Sequence, residues 1–105
     1  MKNAVGPVLR MGDDIDQVVA AIEDDNPDTE IEVIDRGSYV RIQGPDRLVL
    51  TERTLQAHLG HDYEIRSIET MMSSFAGRII TSSDSITWER IAARRATAPV
   101  GGADR

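Results

Sequence analysis

The sequence predicts an α+β fold: a single domain with two helices packed on a largely antiparallel β-sheet, in β-α-β-β-β-α-β-β order. Three observations carry that expectation. Ile15, Val18, Val19 and Ile22 recur at i, i+3, i+4 and i+7, the stripe of an amphipathic helix. Short β-branched runs between Thr29 and Thr51 are broken by turn residues. Two further apolar runs flank the polar stretch Ser82 to Ser85. A chain of 105 residues suffices for one domain and not for two.

Each element has its own local reason. Ala4 to Arg10 is a short apolar stretch whose Pro7 cannot donate to a ladder, which suits an edge strand. Asp13 and Asp14 offer an N-cap carboxylate to the first helix, and Asn26-Pro27 ends it, because Pro restricts the residue before it. Thr29 to Asp35, Tyr39 to Ile42 and Leu48 to Leu50 read as a meander of three strands, joined by turns at Arg36-Gly37-Ser38 and Gly44-Pro45-Asp46. Thr51 caps a second helix, Glu52 to Leu59, with Leu55 and Leu59 inward and Gly60 supplying the left-handed C-terminal position. Tyr63, Ile65 and Ile68 suggest an extended stretch. Met71 to Gly77 mixes apolar and very small residues without a period, and Ile79 to Thr81 with Ile86 to Glu89 close a hairpin. The folded domain is expected over 1–91, followed by a flexible tail, 92–105, with too little apolar bulk to order itself.

Composition excludes several kinds of function. With no cysteine, disulfides, thiolate zinc sites, Cys-ligated iron–sulfur clusters and cysteine nucleophiles are all out of reach. No apolar run approaches the roughly 18–20 residues of a membrane span, and the N-terminus lacks a secretory apolar stretch, so the expected compartment is the cytoplasm. A net charge of −6 argues against nucleic acid. The charge is unevenly spread, with ten acids and no Lys or Arg between Asp13 and Asp35. That stretch is either a solvated helix face or a surface that steers a basic partner, in which case the association rate falls with salt.

No catalytic set emerges. His58 and His61 stand three apart, but Gly60 ends the helix between them and no third ligand is near. The Ser73-Ser74 and Ser82-Ser83 pairs have no adjacent base, and acids such as Asp24 and Asp25 at a helix end are usually solvated. No Gly-rich phosphate loop is present. Catalytic, cofactor-binding and metal-binding residues are therefore all expected to be absent. The segment best suited to contact a partner is Met71, Met72, Ser73, Ser74, Phe75, Ala76, Gly77 and Arg78: Met adapts to irregular surfaces, Phe75 can anchor, and the small residues permit close approach. The competing reading places Met71, Met72 and Phe75 in the core and the small residues in a tight turn.

Six segments, in order, resemble the small effector or coupling proteins of soluble diiron multicomponent monooxygenases. They are Val5-Gly6-Pro7-Val8-Leu9-Arg10 with Gly12-Asp13; Ile22-Glu23-Asp24-Asp25-Asn26-Pro27; Arg36 with Tyr39-Val40-Arg41-Ile42; Leu48-Val49-Leu50-Thr51; Thr54-Leu55 with Leu59-Gly60; and Ser74-Phe75-Ala76-Gly77. The likeness runs from about Asn3 to Arg90. The Val-Gly-Pro opening and the Ser-Phe-Ala-Gly loop look most like the toluene and alkene monooxygenase branch, related to the methane monooxygenase regulator and the phenol hydroxylase effector. Only a few residues precede Gly6, so no role of the methane regulator's extended N-terminal tail is expected here.

The resemblance implies a non-catalytic, cofactor-free regulator that binds the diiron hydroxylase component. It would tune the active-site conformation there and couple electron delivery to oxygen activation, with competition from the ferredoxin and reductase components. The docking face would be Met71 to Arg78 together with Val5, Gly6, Pro7 and Arg10 of the neighbouring strand. A bulky residue at Gly77 should then weaken binding without unfolding the domain. A protein-interaction adaptor unrelated to a monooxygenase remains the alternative reading.

Overall fold

The computed structural model describes residues 1–91, so the tail expected over 92–105 lies outside the described residues. The element order is β1 (Ala4–Arg10), α1 (Ile15–Asp25), β2 (Glu32–Asp35), β3 (Tyr39–Pro45), β4 (Arg47–Thr51), α2 (Glu52–Leu59), α3 (Arg66–Met71), β5 (Met72–Ala76), β6 (Arg78–Thr81) and β7 (Ser85–Glu89). The α+β class is as expected. The third helix and the division of the strands into two antiparallel sheets, β2-β3-β1-β5 and β4-β7-β6, are not.

The first correction concerns β1. It is not an edge strand but lies between β3 and β5. Pairing with β3 joins Val5 to Gly44 and Val8 to Arg41, with no partner for Gly6 and Pro7 in between. The missing Pro7 donor thus falls where the ladder is already interrupted. Gly6 makes the interruption possible: its φ is +141°, and a β-carbon there would overlap the Ile42 carbonyl oxygen.

The meander is the second correction. β2 and β3 form the expected hairpin, from Glu32 opposite Gln43 to Asp35 opposite Val40, though β2 is shorter than the run from Thr29. Its Val33 points outward, 43% exposed. β4 leaves this sheet. Asp46, at φ +69°, turns the chain sharply after Pro45, and β4 pairs with β7 instead, Leu48 opposite Trp88 and Leu50 opposite Ile86.

Both sheets and the helices close over one core. Ile15, Val18, Ala21 and Ile22 of α1 are buried, and with them Leu9, Ile42, Leu48, Leu50, Leu55, Ile68, Ile86 and Trp88. Full burial of each large aliphatic side chain contributes about 1.5–3 kcal/mol before entropy is counted. α2 has the expected cap: the Thr51 hydroxyl accepts the Thr54 N–H. α1 does not, since Asp14 occupies the N-cap position without a side-chain hydrogen bond. α3 replaces the extended stretch expected around Ile65 and Ile68. Those residues, three apart, are both buried, and that spacing puts them on one helical face.

The C-terminus of α1 is fastened to β4 by two adjacent side chains. Asn26, the buried polar residue at the C-cap, donates to the carbonyls of Ile22 and Val49 and accepts the Val49 N–H. The Asp25 carboxylate accepts the Thr51 N–H at 2.7 Å and the Thr54 hydroxyl at 2.7 Å. Neither residue is free at a helix end.

Candidate docking surface

The two sheets face each other in the same lateral order, with β1 over β7 and β4, and β3 over β4. They join along one side, where the chain passes from β5 in the first sheet to β6 in the second through a single residue, Gly77. Gly77 has φ +94°, and a β-carbon there would sit 2.7 Å from the Glu89 carbonyl oxygen and 2.8 Å from a Val5 methyl. Only glycine fits both the backbone conformation and the space. Gly77 therefore holds the corner of the fold, and a bulky residue there acts on folding before it acts on any partner. The crowding and the positive φ weigh against the expectation that such a variant leaves the domain's stability untouched.

The segment Met71 to Arg78 divides between the two readings offered for it. Met71 and Met72 are half-buried and pack against the core. Ser73, Ser74 and Phe75 are exposed, Phe75 at 44%. Ala76, Gly77 and Arg78 are half-buried, and the Arg78 guanidinium lies 3.8 Å from Glu89. The pairing of β5 with β1 slips by one residue between Val8 and Leu9, and at the slip the Ser73 hydroxyl donates to the Val8 carbonyl. The N-terminal candidates lie elsewhere. Val5, Gly6 and Pro7 are buried inside this chain in β1, which lies beside β5 in the same sheet, with Gly6 opposite Ala76 and Pro7 opposite Phe75. Arg10 is exposed, yet its guanidinium donates to the Thr70 carbonyl and ties the end of β1 to α3.

One exposed residue of this surface was not foreseen. Ile80 of β6 is 40% exposed, while its neighbour Ile79 packs on the core. The alternation Ile79-Ile80-Thr81 carries that signal, since successive side chains of a strand point to opposite faces.

Away from this side the surface is acidic. Asp13, Asp16, Glu23, Asp24, Asp28, Glu30, Glu32 and Asp35 are all exposed. Asp24 reaches His58 at 2.6 Å and so links α1 to α2. His61 is 93% exposed beside Asp62 and shares no site with His58. A polar cleft is lined by Glu52, Gln56, Tyr63, Glu64 and Arg66, but the Glu52 carboxylate already accepts the Ile65 N–H. Burial, and secondarily the nearby Asp14 carboxylate, raises the pKa of Tyr63. Among the described residues no three His, Asp or Glu side chains gather where they could hold a metal ion, and no helix is long and apolar enough to cross a membrane.

Residues 3–89, nearly all of the described chain, match the MmoB/DmpM family. The chain belongs to that family. Among MmoB/DmpM relatives, the alkene monooxygenase system effector subunit of Xanthobacter autotrophicus (strain ATCC BAA-1158 / Py2) is 42% identical over 87 residues, covering 83% of this chain and 86% of the relative. A chain of a phenol hydroxylase–regulatory protein complex superposes with a TM-score of 0.70 at 29% identity, covering 82% of this chain and 97% of the other. The soluble methane monooxygenase regulatory protein B shares the fold, with a TM-score of 0.70 at 19% identity over 97% of this chain and 75% of that one.

Proposed function

We propose that this chain is the non-catalytic effector of a multicomponent hydrocarbon monooxygenase. It binds the diiron hydroxylase component and shifts that partner's active-site conformation, coupling electron delivery to oxygen activation. The observation that carries the reading is the identity of 42% with an alkene monooxygenase effector subunit, spread over 87 residues and hence over the whole domain. The surface chemistry supports it, because the exposed side chains of β5 offer contact area and no reactive group.

An effector of this kind contributes free energy only through a difference in affinity. It must bind one hydroxylase conformation more tightly than another, and a preference of about 1–3 kcal/mol is an ordinary coupling energy. Ser73, Ser74 and Phe75 form the centre of the contact, with Phe75 as its anchor. Titrating the chain into a diiron hydroxylase supplied with its reductase tests this reading. A saturable rise in hydroxylation is expected, and a rate indifferent to the added chain would reject it.

A further inference from the structure

The strand β5 is held on one side only: it pairs with β1, and among the described residues no strand pairs with its outer side. Its two ends are fastened differently. At the far end Gly77 turns the chain into β6, in a space that crowds any β-carbon. At the near end β5 follows α3 without a break, Met71 closing the helix and Met72 opening the strand. α3 has six residues, no side-chain cap at its N-terminus and no basic residue in its last turn. A helix that short does not hold its own shape in water. Ile68 buries one face of it, and the support for its last turn comes from elsewhere in the chain.

That support is Arg10. The residue ends β1, and its guanidinium donates to the carbonyl of Thr70, one of the last-turn carbonyls that an α-helix leaves without an internal partner. A permanent positive charge at this place also suits the negative end of the helix dipole. Among the described residues the Arg10 guanidinium makes no ion pair, so the Thr70 carbonyl is the group it serves. Just beyond, Met72 lies opposite Leu9, and the Ser73 hydroxyl donates to the Val8 carbonyl where the ladder slips. Three successive residues of β1, Val8, Leu9 and Arg10, thus hold Ser73, Met72 and Thr70. Arg10 is the outermost of these grips, 60 residues from its acceptor in sequence.

We propose that Arg10 is a positioning residue for the hydroxylase contact. Through the Thr70 carbonyl it fixes the junction of α3 and β5, and so keeps Ser73, Ser74 and Phe75 in the arrangement the partner meets. This rests on the effector function proposed above and names a residue that serves it by acting through β5. An edge strand with exposed side chains lies at the low end of local stability. Where the binding-competent arrangement is populated only part of the time, apparent affinity falls by that fraction. Arg10 orders the junction before the partner arrives, which lowers the entropy lost on association. The bond is made at the surface, and the core beneath is complete without it.

Arg10→Ala and Arg10→Lys in the full chain test the proposal by three measurements. These are residue-resolved amide exchange on the free protein, a thermal melt, and titration into a diiron hydroxylase supplied with its reductase. Arg10→Ala needs about three- to tenfold more protein for half-maximal stimulation and reaches the same plateau. Without the hydroxylase, its amides from Met71 to Phe75 exchange faster, those of α1 and β7 do not, and Tm stays nearly unchanged. Arg10→Lys, which can also donate to a carbonyl, returns both readings toward wild type. A shifted titration with unaltered exchange means that Arg10 touches the hydroxylase itself, and overturns the proposal. Faster exchange with an unaltered titration makes the link structural only, and faster exchange that spreads to α1 and β7 makes it one of general stability. Either result overturns the proposal, as does no change in any reading. A wild-type chain that fails to stimulate rejects the effector function, a result distinct from all of these.

Discussion

The side-chain amide of Asn26 pairs with both backbone groups of Val49, Nδ2 donating to the carbonyl at 2.7 Å and Oδ1 accepting the N–H at 3.1 Å. One side chain thus does the work of a neighbouring strand, and it does so at the end of α1, where Nδ2 also satisfies the Ile22 carbonyl. The contact closes the β4 edge and fixes the helix to the sheet. Asn26→Ala leaves these groups unpaired in a buried place, and loses about 2–4 kcal/mol of stability. Urea unfolding checks this, the midpoint falling while the slope stays unchanged.

Gly77→Ala tests the corner. The added methyl meets the Glu89 carbonyl oxygen and Val5, and φ +94° is unfavourable for any residue with a β-carbon. Together the strained backbone and the crowding cost about 2–4 kcal/mol. A thermal melt reads the loss directly, and any fall in hydroxylase affinity must be corrected for the unfolded fraction.

Phe75→Ala separates contact from folding. The ring is 44% exposed, so its removal leaves Tm nearly unchanged. Affinity for the hydroxylase falls about tenfold or more, at least roughly 1.4 kcal/mol, as expected of an anchor. Val33→Ala on the β2 edge, where the side chain is 43% exposed, is the matched control and leaves affinity alone. Calorimetric titration of both variants decides the matter.

Tyr63 makes stability depend on alkaline pH. Burial and Asp14 raise its pKa above 10.0, so the native state holds the phenolic proton more tightly than the unfolded chain. The stabilisation is fully present below the unfolded value near 10.0 and drains away as pH climbs through the raised native value. Denaturation midpoints measured on both sides of pH 10 show a decline that Tyr63→Phe reduces.

What could be read from the sequence was local. The stripe of α1, the Thr51 cap of α2 and the hairpin from Ile79 to Glu89 each rest on residues close in the chain, and each stands where expected. What escaped depended on distant partners. Pro7 marks an edge strand by its own chemistry, yet an interrupted ladder with β3 lets it sit between two neighbours. Asn26-Pro27 signals a helix end, but nothing adjacent reveals that the amide serves a strand 23 residues away. The same limit governs the candidate surface. Met71, Met72 and Phe75 are equally apolar, and only the folded chain separates the two that pack on the core from the one that faces out.

Product formed per reducing equivalent consumed, measured for a purified diiron hydroxylase and reductase as this chain is added, tests the central claim most directly. The account predicts that the ratio rises and saturates with the added chain, and that the Phe75→Ala variant needs a higher concentration to reach the same plateau. A ratio that stays constant over the whole titration would contradict it.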